Sequence, residues 1–327
     1  MRRPRLKLDP NFEMARYHAM SRAVNGEFYF RKTADKENFC ALMWRVAAYC
    51  GLQILAFVVM SNHFHVEIHV PLIGSLTDGE LLRRYELLHP KATHRNPASI
   101  DVIRAMLAKN GPDAVEWRRR QLRQMGDLSQ FMKQLKQRHS IRYNRTNSRF
   151  GTMWAERFTS VLMEGRDQCS LLTALYIDLN PVRAGLVRDP KDYRFSSYGA
   201  AVGGDERARQ GIKLLLQMDT WEEAQAAYRV MLFAAGAEPG EKGASIPHED
   251  VERVLREGGT LPLATALRCR ARYLTNTLVL GSQAFVEKQL AEYRKRTGAR
   301  MKAGAIPLPG YTDWGGLFAL RRPRTVT

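Results

Sequence analysis

The chain has 327 residues, 45% hydrophobic and 26% charged, which excludes a disordered tail protein, a collagen-like fibre and a small disulfide scaffold. Its longest strongly apolar run, residues 54–60, falls far short of the ~20 residues of a spanning helix, and no apolar stretch follows the basic start MRRPRLKLDP, so a cytoplasmic, nucleoid-associated protein with no membrane partner is expected. A net charge of +18 points to a polyanionic partner, nucleic acid first, and four cysteines without a C-x-x-C pair argue against a zinc ribbon.

In chain order, residues 17–26 read as a strand ending in the turn Asn25-Gly26. A helix follows with Asp35 as its cap, Phe39, Leu42, Met43, Val46 and Cys50 at helical spacing, and Gly51 as its stop. Residues 52–60 and 63–71, joined at Ser61-Asn62, read as a strand hairpin, and residues 77–88 as a helix. This β-α-β-β-α beginning predicts an α+β fold with a ferredoxin-like antiparallel sheet. Pro90, Pro97 and Pro112 interrupt the pattern, so residues 89–126 read as an insertion. An amphipathic helix over 128–143, a strand over 154–163 and a helix over 167–179 complete a first domain, residues 1–204.

Charge divides the remainder. Residues 1–200 carry net +13, residues 201–250 net −4 and residues 251–327 net +9. The expected organisation is therefore an acidic, Gly-rich connection over 205–250, with a helix at 221–233, and a basic, mostly helical C-terminal region over 251–327. There, helices over 262–273 and 283–296, rich in arginine and lysine, form a candidate helix-turn-helix.

Two clusters carry chemistry. In the strand at 63–70, His63, His65, Glu67 and His69 share one face, and two imidazoles at i, i+2 can converge on a divalent ion; the bland alternative is a polar face open to water. Near the end of the 167–179 helix, Tyr176 and Asn180 are four apart and share a face, with Pro181 as the breaker; the bland alternative is a core aromatic and a capping amide. Between residues 118 and 149 there are ten basic side chains and one acid, a one-sided surface suited to phosphates. Arg118, Arg119, Arg120, Lys133, Lys136, Arg142, Arg145, Arg149, Arg157 and Arg183 are the candidate DNA contacts.

The phrases Met-Ser-Asn-His-Phe-His (60–65), Tyr-Ile-Asp-Leu-Asn-Pro-Val-Arg-Ala-Gly-Leu-Val (176–187) and Asp-Tyr-Arg-Phe-Ser-Ser-Tyr (192–198) closely resemble the REP-associated tyrosine transposases. These are single-tyrosine members of the group named for two histidines around a hydrophobic residue, here Phe64. The segment 143–158, with Gly151, Trp154 and Arg157, is also similar, so the resemblance covers most of residues 14–200. It implies a transposase that cleaves single-stranded DNA beside a hairpin, a REP-like palindrome, through a 5′-phosphotyrosine and a free 3′-OH. Tyr176 is then the expected nucleophile, His63, His65 and Asn180 the metal ligands, and Mg²⁺ or Mn²⁺ the cofactor, with Glu67 and His69 behind the ligands. A non-catalytic or host-adapted DNA- or RNA-binding protein on the same fold is the alternative, and a zinc hydrolase with Glu67 as base a weaker one. Monomer and homodimer are both open.

Overall fold

A computed structural model describes residues 6–8, 14–92, 98–165, 167–236, 272–275, 277–298, 304–308 and 317–321. Strand β1 (Ala15–Arg22) leads through a short turn to α1 (Thr33–Cys50), β2 (Gln53–Val59) and β3 (His63–Val70). The turn is the expected one: Asn25 (φ 52°) and Gly26 (φ 69°) both hold the left-handed backbone that these two residue types tolerate. Helix α1 starts two residues earlier than its expected cap. Lys32 is the N-cap, with no side-chain bond, and Asp35 sits in the first turn, where its charge faces the positive end of the helix dipole. Gly51 (φ 67°) ends the helix, as read from the sequence.

Four strands run β2-β3-β1-β4, every pair antiparallel, with β4 at Thr159–Met163. That order and direction is the ferredoxin-like sheet. A long helical excursion separates β3 from β4: α2 (Asp78–Leu88), α3 (Ile100–Lys109), α4 (Pro112–Leu122) and α5 (Leu128–Thr146). The stretch 89–126 thus contains two helices where a pattern break was read. Pro112 is no breaker, because it occupies the first turn of α4, where a missing N–H costs nothing. Ser99 caps α3 by accepting from the Val102 amide. Tyr85 and Trp117 meet edge to face at 5.6 Å, and Tyr49 donates to Gln121 at 3.0 Å, which ties α4 to α2 and α1.

Alternation along β3 sends Phe64, Val66, Ile68 and Val70 to one side, and all four are buried. There Phe64 meets Phe39 of α1 (4.8 Å between centroids) and Trp154 (5.6 Å), and His139 of α5 stacks on Phe30. The opposite face is covered by α6 (Asp167–Asp178), which packs over β2 and β3. A short turn of helix, α7 (Asn180–Arg183), continues past Pro181, which stands in its first turn. Then come α8 (Ser197–Val202), α9 (Glu206–Leu216) and α10 (Trp221–Gly236). Gly211 lets α9 lie directly on β2: a Cβ there would come within 2.7 Å of the Leu55 carbonyl oxygen.

The last described elements are α11 (Arg272–Thr275), β5 (Thr277–Gly281), α12 (Gln283–Thr297), β6 (Ile306–Pro307) and β7 (Phe318–Arg321). Strand β5 pairs parallel with β4, and the sheet grows to seven strands ordered β2-β3-β1-β4-β5-β7-β6. Where a connection between two helices was expected, the chain is therefore a buried strand. Of the helix expected over 262–273, residues 262–271 lie outside the described residues, as does the Gly-rich segment 237–243 of the expected connection. Among the described residues no helix is long and apolar enough to cross a membrane.

Candidate active site

Antiparallel pairing of β1 and β3 sets Arg22 opposite His63, Met20 opposite His65 and His18 opposite Glu67. Directly paired residues share a face, so β1 adds His18 and Arg22 to the face that bears the two expected ligands. This face is not open to water. His65 is 6% exposed, and His18 and Glu67 are fully buried beneath α6. A cleft of about 230 Å³ remains beside the histidines, lined by Met20, Ser21, Arg22, His63, His65, Ala155, Glu156, Arg157 and Thr159.

The two motifs meet here. The Tyr176 ring stands edge-on to His65 at 5.8 Å and to His18 at 6.1 Å, and His63 and His65 are 5.2 Å apart, all between centroids. Tyr176 is 8% exposed. Burial raises its pKa above the ordinary 10, while the charges of Arg183 and Arg22 draw it back. The Arg183 guanidinium lies 5.3 Å over the Tyr176 ring and donates to the Tyr176 carbonyl at 3.4 Å.

Burial disfavours the protonated form of both histidines. Burial, helped by the Arg22 charge, brings His63 down to about 4, and burial with His18 and His63 nearby takes His65 well below its usual value. The His63 Nδ1–H donates to Asn62 Oδ1 at 2.7 Å, the Asn62 amide being oriented by its own bond to the Gly26 carbonyl at 3.3 Å. That fixes the His63 proton on Nδ1 and leaves Nε2 as a lone-pair donor. Neutral imidazoles with one nitrogen anchored and the other bare are the form that binds a divalent cation, so these residues fit the expected group.

Asn180 is placed differently from its two expected co-ligands. Its side-chain nitrogen donates to the Tyr176 and Ile177 carbonyls at 2.8 and 3.2 Å, and, like Tyr176, the residue is not among those lining the histidine cleft. Its Oδ1 is the atom left to bind a cation. Among the described residues no group of three or more His, Cys, Asp or Glu side chains is arranged to hold a metal. Among the described residues Glu67 has no hydrogen-bonded partner, although the Ser170 hydroxyl lies close enough to pull its carboxyl down; burial dominates and raises it to about 8. Fully enclosed, it cannot serve as the water-activating base of a zinc hydrolase.

The ten candidate DNA contacts have different surroundings. Arg157 is exposed in the cleft wall and Arg183 covers Tyr176, so these two belong to the site. Lys133, Arg142 and Arg145 are exposed along α5. Lys136 lies over the Trp154 ring at 5.1 Å and donates to the Glu156 carbonyl. The others have partners within the chain: Arg118 makes two 2.6 Å bonds to Asp78, Arg119 and Arg120 make exposed pairs with Glu116 on their own helix, and Arg149 pairs with Tyr29 and Glu27. His18 and Arg22 are absent from the sequence-derived set. Pairing β1 with β3, as the ferredoxin-like order requires, is the signal that finds them.

No family model matches the chain, and no curated protein does. Among solved structures, one of a REP-associated tyrosine transposase bound to a REP hairpin is similar, at 14% identity over 62% of this chain and 87% of that one, with a TM-score of 0.36.

Proposed function

We propose that the protein is a transposase-type, metal-dependent nickase and strand transferase acting on single-stranded DNA beside a hairpin. The observation that carries this reading is the approach of Tyr176 to His65, two residues from separate motifs that meet across the α6–sheet interface. In the reaction, the Tyr176 phenolic oxygen forms a bond to a backbone phosphorus and the bond to the leaving 3′ oxygen breaks. The phenolic proton ends on that oxygen, giving a 5′-phosphotyrosine and a free 3′-OH. Attack by a 3′-OH on the phosphotyrosine reverses the exchange and joins strands without an added energy source. His63 and His65 through Nε2, with Asn180 through Oδ1, are the residues that would hold Mg²⁺ or Mn²⁺, which supplies Lewis-acid polarisation of the scissile phosphate. Arg22 and Arg157 bind the phosphate backbone at the cleft mouth, and the positive charge of Arg183 against the ring favours the phenolate. Phe150, 92% exposed just beyond α5, offers a face for base stacking.

The test is a covalent-adduct assay with 3′-labelled hairpin oligonucleotides from the flanks of the gene, incubated with Mn²⁺ or Mg²⁺ and resolved under denaturing conditions. The expected result is a metal-dependent labelled protein band that Tyr176→Phe abolishes while oligonucleotide binding persists. Tight, metal-independent binding with no adduct would instead select the non-catalytic binding protein, a reading favoured by the seclusion of Tyr176 and the capping role of Asn180.

A further inference from the structure

His18 has no exposed surface, and each of its ring nitrogens has a partner at 2.9 Å. Nδ1 faces the main-chain oxygen of Leu274 in α11, and Nε2 faces Nδ1 of His65. A carbonyl oxygen only accepts, so Nδ1 of His18 carries a proton, which is the only one in the neutral form of the ring. Its Nε2 is then an acceptor, and the proton in the second bond belongs to Nδ1 of His65. The lone pair of His65 is left on Nε2. The two rings stack at 5.1 Å and 26°, which also restricts rotation of the His65 ring.

We infer that His18 is a positioning residue: backed by the Leu274 carbonyl, it holds His65 in the single tautomer and orientation that offers Nε2 to a divalent cation. The purpose of this arrangement rests on the proposed function, whereas the arrangement itself does not. The two ligands are secured by different means. Asn62, the chain neighbour of His63, secures that ring locally. The restraint on His65 runs through a carbonyl 256 residues from His18, so the C-terminal strand region is wired into the site. A partner that anchors the far nitrogen of a metal-binding imidazole typically accounts for 10–100-fold in metal affinity.

The experiment uses the full-length, metal-free protein labelled with ¹⁵N-histidine, and reads each ring's tautomer by long-range ¹H–¹⁵N correlation at pH 7.5. His65 is expected with its proton on Nδ1 in the wild type. His18→Phe, which has no acceptor, should move His65 towards the Nε2–H form that an unrestrained ring favours in water. His18→Gln, which keeps one acceptor and one donor, should restore the wild-type tautomer. In parallel, Mn²⁺ titration followed by electron paramagnetic resonance should show affinity about 10–100-fold weaker for His18→Phe and close to wild type for His18→Gln. A wild-type His65 protonated on Nε2, or a tautomer unchanged in a folded His18→Phe, overturns the inference. If His18→Phe does not fold, the wild-type tautomer and His18→Gln still decide. A tautomer shift in a protein that binds no Mn²⁺ upholds the role of His18 and overturns the cation reading instead.

Discussion

His139 sits on the inner face of α5, 3% exposed, stacked on Phe30 and edge-on to Phe39. Burial, with the charge of Arg142 nearby, lowers its pKa to about 4, and its Nε2 has no partner among the described residues. In the unfolded chain the same ring takes a proton near 6.5, so below that pH the unfolded state binds more protons than the native one. Stability is then fully present above about pH 6.5 and erodes as pH falls towards 4, by about 2 kcal/mol from this residue between pH 7 and 5. His139→Phe fits the aromatic cluster without the proton, so chemical denaturation at several pH values should show a flatter profile with stability at pH 7 retained. An unchanged slope would remove His139 as the cause. The arginines separate by the same residue-level reasoning. Arg22→Ala or Arg157→Ala should weaken oligonucleotide binding and cut the log–log salt slope by about 0.7 to 1, because each guanidinium faces the cleft free to meet a phosphate. Arg118→Ala should leave that slope alone, since its guanidinium is committed to Asp78.

At the scale of elements, the joint between α6, α8 and α10 is Asp178. Its carboxylate accepts from Ser197 Oγ and the Tyr198 amide at 2.9 Å and from Tyr228 Oη at 2.8 Å, while burial still raises it to about 6. Helix α9 depends on Gly211 for its seat on β2, with carbonyl oxygens of Ile54 and Leu55 under 3 Å from any added Cβ. Gly211→Ala should therefore lower stability by about 1–3 kcal/mol in a thermal melt, against the gain that Gly→Ala gives in an unobstructed helix. The elements β1 to β3, α1, α5 and α6 were legible in the sequence because each carries a clear period and a local stop such as Gly51. Strand β5 was not. Its Leu278-Val279-Leu280 run has no alternation, as a doubly covered strand requires, and it lies between helices. Helices α3 and α4 were hidden by prolines, of which Pro112 starts a helix. Within the site, His63, His65 and Tyr176 stand in recognisable phrases. His18 is a lone histidine whose two partners are 47 and 256 residues away, a relation no spacing rule exposes.

At the scale of the whole molecule, one sheet runs from the H-x-H hairpin to the C-terminal strands, and β4 is its junction. The attachment is polar as well as through the strand ladder. Glu164, just after β4, accepts from the Ser282 amide at 2.6 Å and from Ser282 Oγ at 2.9 Å, at the start of α12. Glu164→Ala should leave the ferredoxin-like half intact and loosen β5 to β7. Hydrogen exchange would show this as faster exchange in residues 277–281 with β1 to β3 unchanged; uniform protection across the sheet would count against such a junction.

The Leu274 carbonyl also has a consequence in time. During synthesis, at roughly 5–20 residues per second, an interval of about 5–20 s separates the making of Tyr176 from that of Leu274. Throughout that interval the nascent chain holds His63, His65 and Tyr176 but lacks the oxygen that orients His18. The hydrogen bond that anchors His18 is thus completed only after the ribosome has moved about a hundred residues beyond Tyr176.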